Sequence, residues 1–362
     1  MLARFVPRVL LPASELVTPG WERPVGYWLA GSAGMLTGMV MIGGYTRLTG
    51  SGLSMTDWSL AGRSLPRGSG WEQEFEEYKK YPEYLKLHAG RMSLSEFKGI
   101  YFVEWFHRMF GRATGFVFLT PLAGFIYMGA LRRPLLHRLC ALGSMGLAQG
   151  LIGWWMVKSG LNPALLDEDR PPRVSSVRMA FHWLMALGLY GGTMWMSWSL
   201  LLARPKVSVS ILNKIRSAST VPAICALATL SSGPFVAGID AGRTYNTWPK
   251  MLDRWIPEEV SEIGKNPKKI ITDTAVVQFV HRCLAYSTVL SAGIFGVFSS
   301  RLVKQGLLGA AVRLVPALAI GQMCLGITTL LMYVPTELGV AHQAGGLAVF
   351  TSLLLVRFLT RS

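Results

Sequence analysis

Apolar residues in this chain are grouped into eight stretches, each long enough to cross the hydrocarbon core of a membrane as a helix. A core of about 30 Å requires about 20 helical residues. Several stretches contain proline or glycine, which membrane helices tolerate because neighbouring groups satisfy the freed backbone. The pattern predicts an all-α polytopic membrane protein with eight transmembrane helices, at 25–46, 101–130, 136–157, 179–203, 217–240, 275–299, 306–333 and 338–357.

Charge is distributed unequally between the two sides of these helices. The formal net charge is +16, which would also suit a nucleic-acid binder. However, the termini and the short loops carry 15 Lys/Arg and 2 acids, whereas the loops 47–100, 158–178 and 241–275 with Asp240 carry 18 basic and 16 acidic residues. By the positive-inside rule, both termini face the cytoplasm or the mitochondrial matrix. The pattern favours membrane topology over nucleic-acid binding.

The cysteines and the N-terminus bear on the compartment. All four cysteines fall in predicted helices rather than in the long loops, so we expect no structural disulfide. Residues 1–14 contain two arginines and no acid, as a mitochondrial presequence does. The sequence thus predicts the mitochondrial inner membrane with both termini in the matrix, and the bacterial plasma membrane with cytoplasmic termini is the alternative.

The chain contains an internal repeat. EWFHR at 104–108 matches QFVHR at 278–282, and the LAQGLIG segment at 147–153 matches AIGQMCLG at 319–326. The offsets, 174 and 173 residues, are nearly equal. Because each half has an even number of helices, the repeat is expected to be parallel, about an axis along the membrane normal. Two pseudo-symmetric four-helix bundles are predicted.

This repeat gives the domain organisation. An N-terminal segment, 1–24, carries the candidate targeting sequence. The N-terminal half spans 25–203 and the C-terminal half spans 217–362, and the basic segment 204–216 joins them on the inner side. In the outer loop 47–100, the acidic stretch at 71–84 is equally compatible with a solvated surface helix and with a partner-facing surface.

Four of the six histidines lie in predicted helices: His107, His182, His281 and His342. Each is near the start of an even-numbered helix, so all four imidazoles should lie at similar depth, in two pairs, one per half. Ionisable groups within a membrane are costly and usually mark a function. A single histidine would often be only an interhelical hydrogen-bond partner, but four at repeated positions reduce the weight of that interpretation.

Three kinds of chemistry could explain histidines at this depth: a proton path, a zinc site and a heme site. A proton path would need carboxylates across the membrane, and only Glu104 and boundary residues such as Asp240 and Glu337 occur. Zinc usually gathers three or four closely placed ligands, which this spacing does not offer. One histidine from each of two facing helices is how a bundle holds heme iron. Two hemes is therefore the interpretation that needs the fewest assumptions.

The two halves differ next to the first histidine of each pair. Glu104 lies three residues before His107 on the same helix face, and Gln278 holds the equivalent place before His281. A buried carboxylate can exchange protons or stabilise charge, whereas an amide only forms hydrogen bonds. The difference predicts chemistry in the N-terminal half and a stable redox heme in the C-terminal half. A structural ion pair of Glu104 with Arg108 is the alternative.

Five arginines near the outer helix ends lie at the depth of the histidines. A guanidinium group suits a heme propionate, because its fork geometry matches a carboxylate. Snorkelling to the interface explains each of them equally well. They are Arg47, Arg108, Arg112, Arg243 and Arg282.

The sequence resembles the heme A synthase family of mitochondria and alphaproteobacteria. The resembling segments span nearly the whole chain, and the long runs TRLTGSGLS and WWMVKSGL are specific. They are GGYTRLTGSGLSMTDW (43–58), EFKGIYFVEWFHRMFGR (96–112), QGLIGWWMVKSGL (149–161), AGIDAGRTYNTWPKM (237–251), VQFVHR (277–282) and LGITTLLMYVPTELGVAHQ (325–343).

The resemblance implies an oxidoreductase that converts a methyl group of heme O to the formyl group of heme A, for cytochrome c oxidase assembly. By position, His281 and His342 would ligate a heme b cofactor. His107 and His182 would face the iron of the substrate heme, and Glu104 would be the catalytic carboxylate. Iron that activates oxygen needs an open axial position, so we expect one of His107 and His182 to be a labile ligand.

The resemblance also implies partners: the substrate heme O and a redox donor such as a ferredoxin. Heme O synthase and cytochrome c oxidase assembly factors are further candidates, and the sequence leaves a homo-oligomer open. Rival functions are a non-enzymatic diheme cytochrome, a repeat-built transporter and a heme carrier or chaperone. The Glu104/Gln278 difference argues against a symmetric cytochrome, and no pair of broken helices indicates a transporter.

Overall fold

All secondary-structure elements are helical in the computed structural model, which describes residues 11–168 and 171–361. The all-α class is therefore confirmed. The long helices are α1 (Glu22–Leu48), α2 (Leu94–Tyr127), α3 (Arg133–Gly160), α4 (Ser176–Leu201), α5 (Thr220–Gly238), α6 (Thr274–Leu302), α7 (Gly306–Leu331) and α8 (Thr336–Leu359).

Among the described residues, seven helices are long and apolar enough to cross a membrane. They include α1, α2, α3, α6, α7 and α8, together with Val209–Gly238, in which a ten-residue helix, Val209–Ala218, leads into α5. The remaining long helix, α4, has 26 residues. The protein is thus a multi-pass membrane protein.

Helix α2 begins earlier than its hydrophobic pattern predicts, at Leu94 rather than near 101. Ser93 and Glu96 form a capping box, in which each side chain accepts a hydrogen bond from the other residue's backbone N–H. The added turns pack on the helix Gly70–Tyr78, where Phe75 stacks on Phe97 with ring centroids 4.9 Å apart. The acidic stretch therefore forms a surface helix held by an aromatic cluster.

Two other predicted segments differ from the structure or lie partly outside it. The basic segment 204–216 is helical from Val209 onward rather than a free linker. The candidate presequence lies mostly outside the described residues. The four cysteines lie on four different helices and are free thiols.

The long helices contact one another in two similar circuits. In the first, α1 contacts α2 and α4, and α3 contacts α2 and α4. In the second, α5 contacts α6 and α8, and α7 contacts α6 and α8. The two circuits meet where α1 packs on α8 and α4 packs on α5. The contact between α2 and α3 is sparse compared with its counterpart between α6 and α7.

Arg47, at the end of α1, joins the two circuits. Its guanidinium donates hydrogen bonds to the carbonyls of Ala237 and Gly238 at the end of α5 and forms an ion pair with Asp240, at 3.3 Å. Arg173 pairs with the other oxygen of Asp240. These carbonyls belong to a helix end that lacks intrahelical partners, so Arg47 also caps α5.

Replacing Arg47 by Leu is expected to lower the free energy of unfolding by about 2 kcal/mol, because a partly buried carboxylate and two carbonyls lose their donor. Thermal unfolding in detergent, followed by circular dichroism, measures the change. Arg63→Leu is the control, because this arginine pairs with Asp57 and Glu74 at a side chain that is 41% exposed. Equal stability of the two variants would contradict the capping role.

Candidate functional site

A cavity of about 1820 Å³ lies between the helices of both circuits. Ligand pockets commonly measure about 300–1,000 Å³, so this cavity has room for more than one large ligand. Its wall includes all five residues that the sequence singled out as the site: Glu104, His107, His182, His281 and His342. The structure therefore brings the predicted site residues to one connected space.

The two histidines of the C-terminal pair lie close together. The rings of His281 and His342 have centroids 6.5 Å apart and planes at 72°. A metal ion bound between the two rings would form one metal–nitrogen bond of about 2 Å to each ring. These two bonds, added to the distance from each nitrogen to the centre of its ring, roughly account for the observed centroid separation. Ser232 on α5 lies 2.6 Å from Nδ1 of His281 through its hydroxyl, which leaves Nε2 as the nitrogen available to a metal. The donors and their spacing fit an axially ligated heme iron.

A glutamine on α7 positions His342. Nε2 of Gln322 lies 3.0 Å from Nδ1 of His342 and donates to its backbone carbonyl at 2.7 Å. Gly326, one turn later on α7, faces the same ring: a Cβ at this position would lie 2.7 Å from Cε1 of His342. Only glycine lets the α7 backbone approach the imidazole this closely.

The same device occurs at the equivalent position of the N-terminal half. Nε2 of Gln149 donates to the backbone carbonyl of His182 at 3.0 Å, and a Cβ on Gly153 would lie 3.1 Å from Cε1 of His182. The repeat in the sequence is therefore also a repeat of contacts. Gln149 and Gln322 lie at matching positions of the two repeat segments, each four residues before the glycine that faces the ring, and this shared spacing is the sequence signal for their role.

The N-terminal imidazoles are held less firmly than the C-terminal ones. Gln149 approaches Nε2 of His182 at 3.4 Å, and the buried Nδ1 of that ring has no hydrogen-bond partner. A Cβ on Gly43 would lie 3.3 Å from Nε2 of His107. In the described part of the chain, no hydrogen bond ties the His107 ring as Ser232 ties His281.

Glu104 is buried and fully hydrogen-bonded, with 2% of its surface exposed. One carboxylate oxygen accepts from the hydroxyl of Ser54 and the backbone N–H of Met55, both at 2.8 Å. The other accepts two hydrogen bonds from Arg108, at 2.6 and 3.1 Å. The structural ion pair that the sequence left as an alternative is therefore formed, at the wall of the cavity.

Gln278 makes the complementary contact in the C-terminal half. Its Nε2 donates to the carbonyl of Ala241 at 2.7 Å, in the loop after α5, whereas Glu104 accepts from the loop after α1. Both side chains anchor a loop to the histidine helix. They differ in that only the Glu104 contact places a negative charge and a guanidinium beside the cavity.

The arginines that sequence reasoning considered for propionates mostly bind loop carbonyls. Arg108 donates to the carbonyls of Met55 and Asp57. Arg112 donates to the carbonyls of Ser59 and Leu60. Arg282 donates to the carbonyls of Tyr245 and Thr247. Arg47 binds the end of α5, and Arg243 is exposed. Of the two histidines outside the predicted transmembrane pairs, His137 is exposed and His88 is half-buried at the cavity wall.

The chain is similar to known proteins over nearly its whole length. Residues 26–354 match the family COX15-CtaA, described as cytochrome oxidase assembly protein. The chain is 43% identical over 337 residues to the human protein named heme A synthase COX15, covering 92% of this chain and 82% of the human one. It is 40% identical over 348 residues to the Arabidopsis thaliana protein of that name, covering 95% and 76%. It is 38% identical over 333 residues to heme A synthase of Bradyrhizobium diazoefficiens, covering 91% and 89%.

Proposed function

The chain belongs to the COX15-CtaA family of cytochrome oxidase assembly proteins, and from that premise we propose that it is a heme A synthase. Its reaction is the oxidation of a methyl group of heme O to the formyl group of heme A, in support of cytochrome c oxidase assembly. The observation that carries the assignment of the two sites is the unequal fixing of the two histidine pairs around one cavity.

The C-terminal pair is the site for a resident heme b. His281 and His342 would hold its iron, since Ser232 and Gln322 fix both rings through Nδ1. A heme so ligated supplies one-electron transfer when bound. Ser232 and Gln322 orient the two rings toward the position that the iron would take, and Gln278 contributes no charge.

The N-terminal pair faces the substrate heme O. Iron that reacts with oxygen needs an axial position that opens, so one of His107 and His182 must release it. The unpartnered Nδ1 of His182 supports this half as the one in which a ring can move. Glu104 lies beside the same cavity, where its carboxylate stabilises positive charge that develops on the substrate, and Arg108 and Ser54 hold it in place.

The contact pattern supports two pseudo-symmetric four-helix bundles, α1–α4 and α5–α8, as the finer architecture. All eight long helices then cross the membrane. The halves are 25–203 and 217–362, after an N-terminal segment 1–24 and joined by 204–216. The loop charges support an orientation with both termini on the inner side, which is the matrix for a mitochondrial inner membrane and the cytoplasm for a bacterial plasma membrane. A redox donor such as a ferredoxin delivers or accepts the electrons.

The assignment is tested by purifying the protein from cells that make heme O and identifying the extracted hemes by mass. We expect heme b together with hydroxylated or formyl heme. The same cells without the protein are the control and should yield no formyl heme. Two heme b groups per chain and no modified heme would instead identify an electron-transfer cytochrome.

A further inference from the structure

A second buried carboxyl group, Glu83, lies in the wall of the cavity and has no role in the function described so far. It belongs to the loop between α1 and α2, directly before a short π-helical turn, Tyr84–His88. Its side chain is almost entirely buried, with 8% of the residue exposed, yet it lines the same cavity as Glu104. A carboxyl group so placed touches the interior of the site from the loop side.

The partners of Glu83 distinguish it from the other acids at this end of the cavity. Glu104 is paired with Arg108, and Asp240 is paired with Arg47 and Arg173. Glu83 accepts one hydrogen bond, from the phenol of Tyr78 at 2.9 Å, and among the described residues no Lys or Arg forms an ion pair with it. The cations near it are thus already neutralised by other acids.

A carboxyl group with only a neutral donor is readily protonated. The pKa of Glu83 is raised to about 7, chiefly by burial and in part by the charge of Glu104. The hydrogen bond from Tyr78 and the charges of Arg47 and Arg173 lower this pKa and so limit the rise. Burial also raises the pKa of Tyr78, which therefore stays a neutral donor. Glu83 can accordingly gain or lose a proton near neutral pH, as an efficient proton-transfer group should.

Resting on the proposed function, we infer that Glu83, oriented by Tyr78, exchanges protons between the substrate end of the cavity and water on the side of the long loops. Conversion of a methyl to a formyl group removes hydrogen and adds one oxygen atom, so protons cross this boundary whether the oxygen comes from water or from dioxygen. An O–H bond forms when the carboxylate of Glu83 takes a proton from the substrate end of the cavity. The same O–H bond breaks when the proton passes to water on the side of the long loops. No electron moves, and the carboxyl group returns to its initial state.

The first test reads protonation without turnover. Infrared difference spectra of the purified protein should show a buried carboxylic acid band that disappears as pH rises through about 7. Glu83→Gln should remove this band. Glu72→Gln is the matched control, because Glu72 is an exposed glutamate on the helix Gly70–Tyr78. A wild-type protein without such a band, or a band retained in Glu83→Gln, would overturn the inference.

The second test is the pH profile of heme O conversion. Glu83→Gln should lower the rate about a hundredfold, the low end of the contribution of positioned proton-transfer groups, and Glu83→Asp should restore part of it. Tyr78→Phe removes a hydrogen bond that stabilises the charged carboxylate, so the midpoint of the profile should move to higher pH. A wild-type protein that does not convert heme O would overturn the proposed function. Wild-type conversion with rate and profile unchanged in Glu83→Gln would overturn this inference alone.

Discussion

Replacing Glu104 by Ala is expected to abolish the formation of heme A, with unmodified heme O remaining bound. The carboxylate touches the cavity from the helix that carries His107, and the low-dielectric surroundings strengthen its effect on a developing positive charge. A loss of at least about a hundredfold is expected, as for removal of one preorganised electrostatic group. Heme extraction and mass analysis of the purified variant measure the ratio of heme A to heme O.

A further variant, Glu104→Gln, removes the charge and keeps the size of the side chain. Its amide oxygen can still accept from Ser54 and Met55, which preserves this anchor of the loop, whereas its NH2 group cannot accept the two hydrogen bonds that Arg108 donates to Glu104. It should be as inactive as the Ala variant. The resident heme b is the internal control for folding, since Glu104 does not contact His281 or His342. Heme A made by the Gln variant at more than a tenth of the wild-type yield would show that charge at Glu104 is dispensable.

The helical class, and the four histidines that the structure places at one cavity, could be predicted from the sequence for a physical reason. Membrane helices require long apolar runs, and an ionisable residue inside such a run is conspicuous. The four imidazoles could therefore be found without any contact information, and the structure places all four at one cavity. The repeat EWFHR/QFVHR also marked the contact difference between Glu104 and Gln278.

Other features depended on polar signals that hydrophobicity does not report. The start of α2 at Leu94 was missed because the capping box of Ser93 and Glu96 precedes the apolar run. The hydroxyl of Ser232, 2.6 Å from His281, had no sequence signal, because serine in a membrane helix commonly bonds its own backbone. The arginines could not be assigned from sequence because their targets are backbone carbonyls of loops, which any residue supplies.

The size and continuity of the cavity were also beyond sequence reasoning. A cavity arises where side chains of facing helices fail to meet, and this depends on how the helices approach one another. The sparse contact between α2 and α3, compared with α6 and α7, is a property of that packing. Glu83 is a candidate proton-transfer group only because it lines this cavity. In the sequence, Glu83 is one of several acids in a loop.

Replacing His281 or His342 by Ala is expected to remove the resident heme b while the substrate heme is still bound, because each variant leaves the iron with a single protein ligand.

Gly326→Ala should have a similar though smaller effect, since its Cβ would lie 2.7 Å from the His342 ring and force the imidazole to move. Gly321→Ala on the same helix is the matched control, because a Cβ there meets nothing within 4 Å. Reduced-minus-oxidised spectra and the heme b content per chain measure the loss. Loss of heme b in Gly326→Ala but not in Gly321→Ala would mean that the backbone of α7 sets the position of the His342 ring. Full retention of heme b in both histidine variants would refute the assignment of His281 and His342 as its ligands.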